Sequence, residues 1–154
     1  MIIDDTKTVL LLNGLIRVLK DSEKGFETAA DAVDKAELVE LFAGWVVERA
    51  KFGEELKQRV KTLRATPAEG EAPGGELHRG WMGLRAAVES NAVHAILAEC
   101  ERGEDRAVMA YREALRTEDV DAQSRAILQR HYEAVQAAHD RIRQLRDRAE
   151  YAQA

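Results

Sequence analysis

The sequence predicts an all-α protein: a four-helix bundle of two antiparallel helical hairpins joined by one long crossover. Three observations carry this prediction. Apolar side chains recur every three or four residues through four long stretches, the period of a helix with one buried face. Long β-branched or aromatic runs of strand character are missing. The two prolines, Pro67 and Pro73, stand together in one breaker cluster instead of being spread along the chain.

The first helical stretch runs from about Thr6, placed to cap it, to about Val33. Its stripe is Val9, Leu12, Ile16, Leu19, Glu23, Phe26, Ala30 and Val33, with Gly14 and Gly25 weakening it locally. The second runs from about Lys35 to Arg64, with Leu38, Leu41, Phe42, Trp45, Phe52, Leu56, Val60 and Leu63 facing inward. Residues 65–75 then stop all helix. Beyond them Leu77, Trp81, Leu84 and Val88 outline a short amphipathic helix bearing His78-Arg79-Gly80-Trp81, and His78 and Trp81 are placed to pin the crossover. The third long helix spans about Asn91 to Arg116. The fourth spans about Val120 to Ala149, after a tight connection in which Asp119 is the natural cap. Short turns after the first and third helices make two hairpins, and the crossover, about residues 65–89, is long enough to traverse the bundle. The rival is a plain up-down-up-down bundle.

A chain of 154 residues fits one domain, 1–154, with a core of its own. Its net charge of −5 argues against nucleic-acid binding, which needs a basic face. No apolar run approaches the roughly 18–20 residues that span a bilayer, so no membrane role is expected. Met1-Ile2-Ile3-Asp4-Asp5 lacks the basic region of a secretory signal. The single cysteine, Cys100, excludes an internal disulfide and suits a reducing cytoplasm; its small-residue neighbours suggest packing. Arg141, Arg143, Arg146 and Arg148 close the last helix, where cations suit the dipole. There is no Gly-rich phosphate loop, cysteine pair or Ser/His/Asp constellation, and no organic cofactor is indicated.

Two acids fall where a core residue should be. Stepping by three and four from Leu97 gives Glu101, Glu104, Val108, Tyr111 and Leu115. A carboxylate facing a core needs a partner, and inward acids are how carboxylate-bridged metal sites are built in bundles. At about 1.5 Å per residue, the crossover topology brings Glu23, Glu48, Glu101, Glu104 and His139 within about one and a half turns of one level. Those five are the expected ligands of an iron, manganese or zinc ion, since such ions take carboxylate oxygens and imidazole nitrogen. Gln136-x-x-His139 has the spacing of the Glu-x-x-His ligand pair, with an amide for the acid, and the second helix has no histidine. The competing reading is a non-catalytic structural or partner-binding bundle, or a homo-oligomer, whose inner acids pair with Arg49 on the inward stripe between Trp45 and Phe52. On that stripe Glu55 reads as a boundary residue, and His131 shares the face of His139 nearer the bundle end. A third reading puts an apolar ligand near Trp45 and Trp81.

Several blocks stand together in one order. They are Leu12-Asn13-x-Leu15-Ile16, Lys24-Gly25-Phe26 with Ala29-Ala30, His78-Arg79-Gly80-Trp81, the run from Ile96 through Glu101-Arg102-Gly103-Glu104-Asp105, and His139-Asp140-Arg141 with Leu145-Arg146-Asp147. Over about residues 7 to 148 the chain resembles a bacterial family of ferritin-like four-helix-bundle proteins known mainly as a conserved domain of unknown function. The resemblance implies the ferritin-like fold and no established activity. Within that superfamily it points toward iron, oxygen or peroxide handling under stress, although the paired Glu-x-x-His signature is not reproduced. Asp31 stands where the family usually has a glutamate.

Overall fold

The apolar periodicity becomes four long helices in a computed structural model, which describes residues 5–69 and 81–152. They are α1 (Thr6–Ala32), α2 (Ala36–Thr62), α4 (Val93–Arg116) and α5 (Ala122–Asp147), with short α3 (Leu84–Ser90) before α4 and α6 (Ala149–Ala152) at the end. No strand occurs among the described residues. No helix among them is long and apolar enough to cross a membrane.

The way the core divides reveals the topology. One apolar cluster gathers the end of α1 (Phe26, Ala29), the start of α2 (Leu38, Phe42), the start of α4 (Ile96, Leu97, Cys100) and the end of α5 (Ile142, Leu145). A second gathers the start of α1 (Leu12, Ile16), the end of α2 (Leu56, Val60), the end of α4 (Tyr111, Ala114) and the start of α5 (Leu128). Thus α1 and α5 run one way while α2 and α4 run the other. The chain leaves α2 at the end of the bundle opposite to where α4 begins. The crossover therefore spans the bundle, about 40 Å for a 27-residue helix, and the up-down-up-down rival is excluded.

Local chemistry sets the boundaries, with three shifts from the sequence reading. Asp119 sits at φ 68° in the left-handed region, and α5 is capped by Asp121, whose side chain accepts from the Ser124 N–H at 2.9 Å. Thr6 opens α1 as its first residue, with Asp5 at the cap position. The sequence reading carried the crossover helix back to Leu77; among the described residues it begins at Leu84, and His78 and the glycines of the breaker lie outside them.

Trp81 is the largest fully buried side chain. Its indole lies between Gly25 of α1 and Gly103 of α4, and a Cβ at either glycine would come within 2.3 Å or 2.2 Å of the ring atoms, a clash. Phe26 meets the indole edge-on, with centroids 5.1 Å apart. Two helices can approach a third element this closely only where side chains are absent, which gives Gly25 and Gly103 a packing role that helix propensity alone would oppose. Polar clamps hold both bundle ends: Arg59 of α2 reaches Asp121 at 2.7 Å, and Glu37 accepts from Arg148 at 2.8 Å and Tyr151 at 3.2 Å.

Candidate functional site

At the boundary between the two apolar clusters α2 and α4 each place one charged side chain in the core. Arg49 Nη1 donates to Glu104 Oε1 at 2.5 Å and Nη2 to Oε2 at 2.8 Å, a bidentate pair with both side chains fully buried. The guanidinium also lies 5.4 Å from the centre of the Phe26 ring, a cation–π contact. Burial would lower the Arg49 pKa, but the charge and hydrogen bonds of Glu104 outweigh it and raise it above the ordinary value. The Arg49 guanidinium at the centre therefore stays charged.

The other sequence-predicted ligands lie around this pair without converging on one point. Glu101 is held by Arg146 and by Arg143 at 3.4 Å. His139 comes within 3.9 Å of Glu101, but its Nε2 bonds Asp105 at 2.5 Å and its Nδ1 bonds Asp140 at 3.2 Å. Glu48 touches Arg49 Nε at 3.4 Å with about a third of its side chain exposed, and Glu23 pairs with Lys20 at 3.5 Å. Among the described residues no group of three or more His, Cys, Asp or Glu side chains is disposed to hold a metal ion. The donor set at the centre does not fit one either: both oxygens of Glu104 are occupied, and the balancing cation is already built into α2. An ion there would have to push a guanidinium into an apolar core, at a cost of several kcal/mol.

A second buried group was not assembled by the sequence reading. Tyr111 Oη and His131 Nδ1 are 3.0 Å apart, and His131 Nε2 lies 2.7 Å from Glu55 Oε1. Arg130 closes the chain on Glu55 at the surface. With the carboxylate as an acceptor, His131 carries its proton on Nε2, so Nδ1 accepts from the phenol. Phe52 stacks on the imidazole, centroids 3.9 Å apart at 14°. Burial holds His131 below its ordinary pKa, with Glu55 opposing, and pushes the Tyr111 phenol far up. Hydrogen bonds from Arg130, then His131, keep Glu55 low against desolvation. Helical rise alone brings this trio to one level. From the α3 end of the bundle, Glu55, Tyr111 and His131 lie about 24–29 Å along their helices.

Cys100 is buried, and desolvation, then the charges of Glu104 and Glu99, raises its thiol pKa well up, which suits packing and not reactivity. Near Trp81 the indole itself fills the space that a ligand would need. A cleft of about 120 Å³ opens instead between α1 and α2, where Ile16, Leu19, Lys20, Glu23, Arg49 and Gly53 are among its walls.

Residues 7–117, well over half of the chain, match the family described as Domain of unknown function (DUF2383). No functionally curated protein matches the sequence. Among solved structures, a mutant of Mycobacterium smegmatis Dps1 superposes with a TM-score of 0.78 at 18% identity, covering 92% of this chain and 96% of that one. At that identity the likeness is one of fold, and the fold is the ferritin-like helical bundle.

Proposed function

We propose that this chain, a member of the family described as Domain of unknown function (DUF2383), works as a metal-independent ferritin-like bundle that acts through its surface. Its partner is another protein or a further copy of itself. The observation that carries this reading is the bidentate Arg49–Glu104 pair at the bundle centre. Carboxylate-bridged chemistry needs several acids free to share an ion. Here the central acid spends both oxygens on a permanent cation, and Glu101 is held by two arginines. A cytoplasmic setting belongs to the same proposal and rests on a lone, buried thiol.

The rival reading is ligation of iron, manganese or zinc by Glu101, Glu104 and His139, with Glu23 and Glu48 as further ligands and a role in iron or oxidative stress. What favours it is the 3.9 Å approach of His139 to Glu101. Elemental analysis of protein purified without a metal-affinity tag, then loaded anaerobically with iron, separates the two. A Glu104→Ala/His139→Ala double variant is measured beside it. Metal-free protein in both cases upholds the ion-pair reading. Near-stoichiometric metal that is lost in the variant overturns it. Sedimentation across a concentration series then tells self-association from a foreign partner.

A further inference from the structure

We infer that Tyr111 is a one-electron redox site: its phenol gives an electron to an outer-sphere one-electron oxidant and its proton to His131, and Glu55 holds the imidazolium that results. The juxtaposition that carries this is Tyr111 Oη to His131 Nδ1 at 3.0 Å, followed by His131 Nε2 to Glu55 Oε1 at 2.7 Å. The inference goes beyond the proposed function and does not depend on it, because no metal and no partner takes part.

A phenol that loses an electron becomes a strong acid and must lose its proton too. Tyr111 and His131 are both fully buried, so no solvent base can take it. The imidazole nitrogen is the acceptor the fold supplies, and desolvation keeps it unprotonated at rest. The balance is simple. The Tyr111 O–H bond breaks, an N–H bond forms at His131 Nδ1, and one electron passes to the oxidant, which is reduced. The products are a neutral phenoxyl radical and an imidazolium whose Nε2–H already points at a carboxylate. Four charges act on that imidazolium. Glu55 favours it, Arg130 and Arg49 oppose it, and Glu104 neutralises Arg49.

A hydrogen-bonded phenol that served only to satisfy its burial could use any backbone carbonyl. This one uses a base, and the base is backed by an acid that reaches solvent: about a third of the Glu55 side chain is exposed. The chain from the core to the surface is continuous, so a proton displaced at Tyr111 has somewhere to go. Phe52, stacked on the imidazole, fixes the ring plane and with it the line from oxygen to nitrogen.

The test is photo-oxidation of the full chain with photogenerated ruthenium(III) tris-bipyridine, with the radical read by electron paramagnetic resonance and by its phenoxyl absorption. A phenoxyl signal is expected that vanishes in Tyr111→Phe and persists in Tyr132→Phe and Tyr151→Phe. Its yield should fall at least tenfold in His131→Gln, and also in Glu55→Gln. The latter keeps a hydrogen-bond acceptor at a half-exposed position and removes only the charge, so its fold is secure if His131→Gln does not fold. A solvent deuterium isotope effect on radical formation should accompany the wild-type signal. The inference is overturned if the signal survives Tyr111→Phe, if only indolyl radicals from Trp45 or Trp81 form, or if Glu55→Gln leaves yield and isotope effect unchanged.

Discussion

Replacing Glu104 alone by leucine removes the carboxylate that both Nη atoms of the buried Arg49 donate to and leaves only the 3.4 Å contact of Nε with Glu48. Both side chains of the pair are fully buried. Breaking such a pair from one side costs about 3–5 kcal/mol, a large part of the roughly 5–15 kcal/mol that holds a domain together. For a chain of this size each kcal/mol lowers Tm by about 2–4 °C, so Glu104→Leu should melt about 6–20 °C below the wild type. Arg49→Met should cost a similar amount, since it leaves a buried carboxylate unpaired and removes the contact with Phe26 at 5.4 Å. The double variant Arg49→Met/Glu104→Leu removes both charges at once. It should return close to the wild type or exceed it by about 1–4 kcal/mol. Urea unfolding followed by circular dichroism measures all four corners of the cycle, and the coupling should be larger than about 3 kcal/mol. Single variants that each cost less than about 1 kcal/mol and add up to the double would refute the reasoning, because the pair would then not be carrying buried charge.

Gly103→Ala should destabilise the bundle: overpacking against Trp81 costs about 1–3 kcal/mol, more than the gain in helix propensity of about 1 kcal/mol. Gly14→Ala, whose Cβ would meet nothing within 4 Å, should instead stabilise by about 0.5–1 kcal/mol, and thermal melts of the two variants read the difference in sign. Stability should also fall on acidification in two stages. Desolvation holds folded His131 below its ordinary 6.5, so as pH drops through 6.5 the unfolded chain takes up the proton first and gains. Glu55, kept below 4.5 chiefly by Arg130, contributes stability that is present above 4.5 and lost as pH falls through its folded value. A urea midpoint that is level above about pH 7 and falls below it, with the first stage absent in His131→Phe, is the expected profile; a midpoint flat down to about pH 5 contradicts it.

The helices were legible because periodicity averages over many residues, and the crossover because its length and its breakers left few alternatives. Arg49 was legible as an inward cation, and Glu104 as an inward acid. Their pairing was the competing alternative to metal ligation, and sequence could not choose between the two, because helical rise locates a residue to several ångströms while a hydrogen bond or a metal bond is decided within a few tenths. Glu23 stands on its stripe and Glu48 beside its own, yet a modest rotation of the helix is enough to move a carboxylate from core to rim. Asp105 follows Glu104 and points outward by periodicity, with 57% of its side chain exposed, yet its carboxylate bends back to His139. Asp119 read as the cap of the last helix, but its left-handed backbone takes it out of that role and Asp121, two residues on, serves instead. Trp81 explains Gly25, which propensity counted only as a weak point, and with it Gly103, since a close approach between helices leaves no trace in a single-residue scale.

The central ion pair also restricts how the two hairpins can be assembled. Apolar layers of leucine, valine and alanine tolerate sliding, because one such side chain substitutes for another with little loss. A slip of one turn, about 5.4 Å, between α2 and α4 would bring Arg49 opposite Cys100 with Glu104 opposite Gly53, or Arg49 opposite Val108 with Glu104 opposite Trp45. In either shifted register the bidentate pair is lost and both charged groups face apolar residues across the interface, whereas the native register joins them. One charged layer thus discriminates among packings that the surrounding hydrophobic layers would accept almost equally, as a single keyed tooth sets the position of an otherwise uniform rack.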